Sequence, residues 1–284
     1  MDIGNKKMTN VNVLVVIIHN NEEQIPAKFV VENLVKGMPD VSVLEVHEQG
    51  SLSTDINWSI LKDHITNQFR LEDEWREYRG AQSLKRRLLA RGNLIYKLSF
   101  LLMSRKKRRE EWKIKQIEHA VTLKHQNAWK QFSASTATTL LVLESDAIWI
   151  KDKSEALTKF LSDTDVSTPT YISLAGGLDV ELVGIDSLII NRPNLSPDNS
   201  LLFSRPVTNT NCAYAMNQPM VKLLLKHLES HPGTESLGIG WFINSAFIET
   251  VSKGTEVICL HAWPPVLLHG SMNGVTKSWH PNRI

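Results

Sequence analysis

The sequence predicts an α/β fold, a mostly parallel twisted sheet flanked by helices with a basic helical insertion, and three observations carry this. First, NVNVLVVIIHNN is an apolar, β-branched run, followed by helix-like EEQIPAKFVVENLVKGM and a second strand-like run, VSVLEVH. Strand, helix, strand is the unit of parallel sheets. Second, LLVLESDAIWI, Leu140 to Ile150, is an apolar run that stops at Glu144-Ser145-Asp146, as a buried central strand does when it reaches the sheet's carboxyl end. Third, from Asn57 to Phe132 glycine and proline are scarce and apolar residues recur at helical spacing.

Composition agrees with a globular protein. Of 284 residues, 42% are hydrophobic and 22% charged, enough to bury a full core, and the sequence is read as a single domain with its insertion at about residues 57–116. The two cysteines, Cys212 and Cys259, have no second cysteine or histidine at zinc-finger spacing, which fits reduced thiols in a cytoplasmic protein. The longest apolar stretches, Val13 to Ile18 and Leu94 to Met103, are too short or too interrupted to span a bilayer, and MDIGNKKMTN lacks a secretory apolar region. Net charge is only +2, yet Lys85 to Lys115 holds 12 Lys and Arg against 2 acids, so the remainder is net acidic.

In the first strand unit no glycine-rich fingerprint follows the strand, which argues against a P-loop or a dinucleotide site. His19 and Asn20 leave that strand where a base or ribose is gripped in such sheets, so they are candidates to contact a nucleoside.

The helical region makes a stripe of Leu84, Leu88, Ile95, Leu98 and Leu102 interleaved with Lys85, Arg86, Arg87, Arg91 and Lys97, and runs into SRKKRREEWK. It reads either as a packed hairpin with solvated cations or as a surface for an anionic inner membrane. Aromatics are too sparse for nucleic-acid stacking.

At the central strand, side chains alternate, so Glu144 and Asp146 are expected to point the same way with Ser145 opposed. Two such carboxylates can hold Mg²⁺ or Mn²⁺, which attracts a nucleotide-sugar pyrophosphate that bare acids repel. The spacing is the acid-x-acid signature of metal-dependent glycosyltransferases.

The preceding helix, KQIEHAVTLKHQNAWKQF, puts Ile117, Val121, His125 and Ala128/Trp129 on one face. Glu118, Leu123, His125 and Trp129, followed by LVLESDA, resemble glycosyltransferase family 25 of the lipooligosaccharide-biosynthesis type, where a helix reading E-x-G-C-x-L-S-H-x-x-x-W precedes a strand ending LILEDDA. Ala120, Val121 and Lys124 depart from that pattern, and Ser145 replaces the middle acid. The resemblance spans about Ile117 to Phe247. It implies a GT-A fold, a nucleotide-sugar donor, a bacterial glycan or glycolipid acceptor, and a substrate-binding role for His125.

Beyond the centre, SEALTKFLSD is a helix, and YISLAGGLD is a strand running into Gly176-Gly177, where a ligand or backbone can come close. Leu178 to Arg205 reads as a surface excursion with a short strand near Ser187 to Ile190. NTNCAYAMNQPMVKLLLKHLES gives strand, turn and helix; Tyr214 matches the family's A-Y-x-x-S strand and joins the substrate-binding candidates, with Asn217 in place of the serine. In GTESLGIGWFINSAF, Trp241 and Phe242 match a D-W-F-like element, but Gly240 stands where that element has its acid. A transferase that inverts its anomeric centre needs a base for the acceptor hydroxyl. Glu235, the nearest upstream carboxylate, and Asp179 are the candidates.

The closing TEVICLHAWPPVLLHGSMNGVTKSWHPNRI reads as two short strands around a Pro-Pro break. Gly274, Lys277 and Trp279 are spaced like the G-x-x-K-P-W ending of glycosyltransferase family 8, with His269 two residues farther upstream. That resemblance implies His269 as a third metal ligand and Lys277 on the diphosphate. Two alternatives remain: a metal-independent transferase using a donor such as a CMP-sugar, and a non-catalytic protein that docks on a membrane or partner.

Overall fold

The computed structural model describes residues 12–19, 25–38, 40–46, 57–80, 104–162, 164, 167–177, 180–191 and 200–276. Asn20, Asp179, Lys277 and the Leu84 to Leu102 stripe lie outside the described residues.

The chain opens with β1 (Val13–Ile18), α1 (Pro26–Gly37) and β2 (Val41–Val46). Pro26 begins α1, where its missing N–H costs no hydrogen bond. β1 and β2 are parallel, in register from Val13 opposite Val41 to Ile18 opposite Val46. Next come α2 (Trp58–Tyr78) and α3 (Arg105–Ser133). The Asn57 side chain caps α2 by accepting from the Ser59 and Ile60 N–H groups at 3.0 and 3.2 Å. α3 is one 29-residue helix, roughly 43 Å long at 1.5 Å per residue. Its first turns carry exposed Arg105, Lys106 and Arg109, and its last turns carry His125 and Trp129 against the sheet. The basic run and the histidine motif therefore share one helix. Trp112 and Leu61 bury together and join α2 to α3.

α3 delivers β3 (Thr139–Glu144), a turn at Ser145–Asp146, and β4 (Ala147–Trp149). Then follow α4 (Ser154–Ser162), β5 (Thr170–Ser173), β6 (Ala175–Gly176), α5 (Val180–Val183), β7 (Ile189–Asn191) and β8 (Ser200–Phe203). β9 (Ala213–Asn217), α6 (Gln218–Ser230), α7 (Ile239–Ser252), β10 (Ile258–Ala262) and β11 (Leu267–His269) complete the described strands and α-helices.

The main sheet has the order β2-β1-β3-β9-β5-β10-β8-β7. β9 and β8 run against the other strands, so most strands share a direction while the pairing is mixed. The central strand expected at Leu140 to Leu143 lies between β1 and β9, and every one of those residues is fully buried. Alternation sorts the side chains into two layers. Val13, Val15, Ile17, Leu141 and Leu143 pack with α1 and α4. Leu14, Val16, Ile18, Leu140 and Val142 pack on the opposite face with α3, α6 and α7. At the start of α6, buried Asn217 accepts from the N–H groups of Met220 and Thr170 at 3.0 and 3.1 Å and donates to the Thr168 carbonyl at 2.6 Å. A serine, the residue of the resembled motif, has no amide to donate in this way.

A second sheet, β4-β11-β6, lies against the α1 face. Among the described residues no helix is long and apolar enough to cross a membrane.

Candidate functional site

β1 sends the chain to β2 on one side, while β3 lies on its other side. The crevice beyond the carboxyl ends of β1 and β3 is therefore a topological switch point, the place where open α/β sheets bind ligands. His19 leaves β1 there, and Ile18 faces Glu144 in register. Because β9 is antiparallel, its leading residue Cys212 comes to the same end, where its carbonyl accepts from the Glu144 N–H at 2.7 Å.

Two networks meet at this end. In the first, the Trp129 Nε1–H donates to the Tyr214 hydroxyl at 3.0 Å, that hydroxyl lies 2.8 Å from His125 Nδ1, and His125 Nε2 lies 3.2 Å from Glu144 Oε1. An indole N–H can only donate. For a neutral imidazole the proton order follows: Tyr214 donates to Nδ1, and the Nε2–H donates to the Glu144 carboxylate. His125 and Tyr214 are buried and their rings stack at 5.6 Å, so the base of Glu144 is rigid while its carboxylate is partly exposed.

In the second, Asp146 Oδ2 lies 3.1 Å from His269 Nδ1 and accepts the Ser271 N–H at 3.1 Å, while Asp146 Oδ1 accepts from the Cys212 thiol at 3.4 Å. The Ser271 hydroxyl is 3.2 Å from His269 Nδ1. This arrangement follows from register: β11 pairs antiparallel with β4 so that His269 stands opposite Ala147, and the Gly270 N–H bonds the Asp146 carbonyl at 2.9 Å. Burial pushes the Asp146 carboxyl upward, but the hydrogen bond and charge of His269 and the Ser271 N–H outweigh it and hold the group down at about 2. Burial and the neighbouring carboxylates push the Cys212 thiol well above its ordinary range.

Asp146, Cys212 and His269 offer ligand atoms that all lie within 4.8 Å of one another. Carboxylate plus imidazole suits Mn²⁺ better than Mg²⁺, which prefers oxygen alone. The structure thus brings together Asp146 and His269, which are far apart in the sequence. Glu144 departs from the expectation. It lies outside that cluster and is bonded to His125, because the turn at Ser145 ends the alternation that was to aim both acids the same way.

The other candidates fall around this centre. His19 is buried, with Nε2 3.1 Å from Glu45 Oε2 and its carbonyl accepting from Lys124 Nζ at 2.8 Å. Lys124, a departure from the family motif, thus ties α3 to the end of β1. Glu235 sits in a 3-10 turn, Thr234–Ser236, whose Glu235 carbonyl lies 2.8 Å from His119 Nδ1; its Oε2 is buried without a hydrogen-bond partner among the described residues. Gly240, at the position where the resembled element has an acid, lies against Asn211 and Thr208; a Cβ there would stand 3.0 Å from Asn211 Nδ2.

Gly176 and Gly177 admit Pro265 and Thr210, whose side chains would lie 2.3 and 1.9 Å from added Cβ atoms, so the close approach expected there is made by the protein itself. Cys212 is the site residue that sequence reasoning missed. It entered only as a reduced thiol, and its place beside Asp146 depends on the antiparallel pairing of β9. No family model matches the sequence, and no curated protein matches it.

Proposed function

We propose that this chain is a glycosyltransferase of GT-A type that moves a sugar from a nucleotide-diphosphate donor to a bacterial surface glycan, lipooligosaccharide or capsule-like, with the help of Mn²⁺ or Mg²⁺. The observation that carries the reading is the pairing of Asp146 with His269 at 3.1 Å at the carboxyl end of β3, beside the β1/β3 switch point. A bound cation would offset the donor's diphosphate charge and that of the departing nucleoside diphosphate. Asp146 and His269 hold it, with the Ser271 N–H fixing the carboxylate. His125, set by Tyr214 and Trp129, orients Glu144 at the rim, where the carboxylate is placed to meet the donor sugar or complete the metal site. His19 and Asn20 are the candidates to contact the nucleoside, Lys277 to contact the diphosphate, and Glu235 or Asp179 to take the acceptor proton. Exposed Arg105, Lys106 and Arg109 offer an anionic inner-membrane surface a peripheral contact suited to a lipid-linked acceptor.

A second reading rests on the bond between Glu144 and His125, which leaves a single carboxylate in the cluster: a metal-independent transferase with another donor, such as a CMP-sugar. One titration separates the readings. Uridine, guanosine and cytidine di- and monophosphates are titrated into the wild type and Asp146→Ala with and without Mn²⁺, and the melting temperature is followed. A shift from one diphosphate that needs Mn²⁺ and is lost in Asp146→Ala supports the first reading. A metal-independent shift from a cytidine monophosphate supports the second, and no shift from any nucleotide sinks both in favour of a non-catalytic docking protein.

A further inference from the structure

Away from the candidate site, α6 and α7 bring together a second group of ligand atoms. His227 lies in the last turn of α6, and His231 follows as its C-cap, so the two rings sit one helical turn apart and stack at 4.5 Å. Glu249 on α7 faces both. Its Oε2 bonds His227 Nδ1 and lies 3.5 Å from His231 Nδ1, and its Oε1 bonds Lys253 Nζ. The ligand atoms of His227, His231 and Glu249 all lie within 4.8 Å of one another.

We propose that His227, His231 and Glu249 form a transition-metal site, for Zn²⁺ or a similar divalent ion, that clamps α6 to α7. Two imidazoles and a carboxylate form a set that suits Zn²⁺ and leaves a fourth position open, whereas Mg²⁺ and Ca²⁺ select oxygen ligands. The surroundings are arranged as for a ligating histidine. Without an ion the His227 Nδ1–H donates to Glu249, and His227 Nε2 lies 2.9 Å from the Ser245 hydroxyl, a partner that can take the Nε2–H when metal uptake moves the ring proton there and frees the Nδ1 lone pair for the ion. His231 Nδ1 also lies 3.2 Å from the His227 carbonyl, and metal uptake moves its proton to Nε2, a change of tautomer without a change of charge. His231 and Glu249 are both partly exposed, which gives the ion an entry path. Lys253 remains on the second carboxylate oxygen.

The cross-link has a consequence for the sheet's active end. α7 begins beside the candidate site, where Gly240 adjoins Asn211 and where Asn244 Oδ1 accepts from the Thr208 N–H at 2.9 Å. An ion on Glu249 therefore fixes the helix that also supports Thr208.

The test uses the full chain stripped by chelator, with Asp146→Asn as the background so that the cluster at β3 does not contribute. Zn²⁺ uptake is measured by equilibrium dialysis and elemental analysis, Co²⁺ is added as a spectroscopic probe, and Mg²⁺ serves as the oxygen-seeking control. The expected result is a single equivalent of Zn²⁺ per chain, a higher melting temperature with Zn²⁺ and not with Mg²⁺, and visible Co²⁺ bands of tetrahedral type. Adding His231→Ala, or the polar His231→Gln should the alanine variant lose its helical circular dichroism, weakens Zn²⁺ binding by at least about tenfold and removes the Co²⁺ bands. An Asp146→Asn chain that takes up no Zn²⁺, or a folded His231 variant that binds it as tightly as its parent, overturns the proposal.

Discussion

Asp146 and His269 meet at 3.1 Å because β11 lies antiparallel on β4 with His269 opposite Ala147, so the carboxyl-terminal part of the fold closes over the end of the central strand. The pair makes a first prediction. The Asp146 carboxyl, with its side chain 18% exposed, sits at about 2 in the folded protein. A carboxylate depressed from its unfolded value of about 3.9 stabilises the fold by on the order of 2 kcal/mol at neutral pH. Since the folded value lies below the unfolded one, this stability is complete above about pH 4 and is lost as pH falls towards 2. Asp146→Asn should therefore have a lower urea midpoint than wild type at pH 7, with the gap closing near pH 2. A gap that stays constant across that range contradicts the assignment.

Tyr214 gives the second. Its hydroxyl is held between Trp129 Nε1 at 3.0 Å and His125 Nδ1 at 2.8 Å, and all three side chains are buried. Tyr214→Phe keeps the ring and strands both nitrogens, and a buried group left unpaired costs about 1–3 kcal/mol. Thermal denaturation should show a drop of several degrees. On the proposed function, diphosphate binding should weaken as well, because His125 loses the partner that sets its tautomer. Unchanged stability and binding would mean that the chain of hydrogen bonds does not orient Glu144.

These two networks mark how far the sequence could be read. The apolar runs at Val13 to Ile18 and Leu140 to Leu143 announced buried strands because their side chains serve both layers of the core. His125, Tyr214, Glu144, Asp146 and His269 were each singled out, and the structure gathers them at one end of the sheet. Their partnering was not legible. Local alternation put Glu144 and Asp146 on one side, but the turn at Ser145 lies between them, and turns are set by what packs on them; here the Ala27 N–H of α1 bonds the Ser145 carbonyl at 3.3 Å. Cys212 escaped notice because only the reversed direction of β9 puts it beside Asp146. The mixed pairing of the sheet was hidden for the same reason, since a buried strand has the same composition in either direction.

His261 supplies a prediction of opposite chemical origin. Its ring is buried, with Nε2 2.8 Å from the Val207 carbonyl and Phe203 at 4.4 Å between ring centres. Burial holds it down to about 4, against a smaller upward push from the Val207 bond. Between about pH 6.5 and 4 the unfolded chain therefore binds a proton that the folded chain refuses, and stability falls as pH falls through that window. The loss is on the order of 3 kcal/mol once complete, by the conversion of about 1.4 kcal/mol per pH unit. His261→Gln keeps a donor for Val207 and removes the titration. Melting curves from pH 7 to pH 4.5 should fall less steeply for the variant than for wild type, and parallel curves would rule out His261 as the source.

Gly270 tests whether the closing segment must seat tightly on the acid turn. A Cβ at this position would stand 2.7 Å from the Asp146 carbonyl oxygen and 2.8 Å from Thr276 Oγ1. Backbone cannot yield as a side-chain tip can, so Gly270→Ala has to lift the segment and stretch two bonds, Gly270 N–H to the Asp146 carbonyl and Ser271 N–H to Asp146 Oδ2. Such overpacking costs about 1–3 kcal/mol, and the displacement carries His269 away from Asp146. The β3 core lies on the far side of the turn and stays intact. On the proposed function, the expected phenotype is thus a folded protein, modestly less stable, that lacks the wild type's binding of a nucleoside diphosphate with Mn²⁺. Gly254→Ala is the matched control: its φ of +71° makes alanine costly by about 1 kcal/mol, but none of the described residues lies within 4 Å of the added methyl, and the residue follows the far end of α7. Both variants lose stability, so melting temperature alone does not separate them. Ligand titration does, because only Gly270→Ala disturbs the contact between Asp146 and His269, and equal binding by the two variants would show that this contact is not needed.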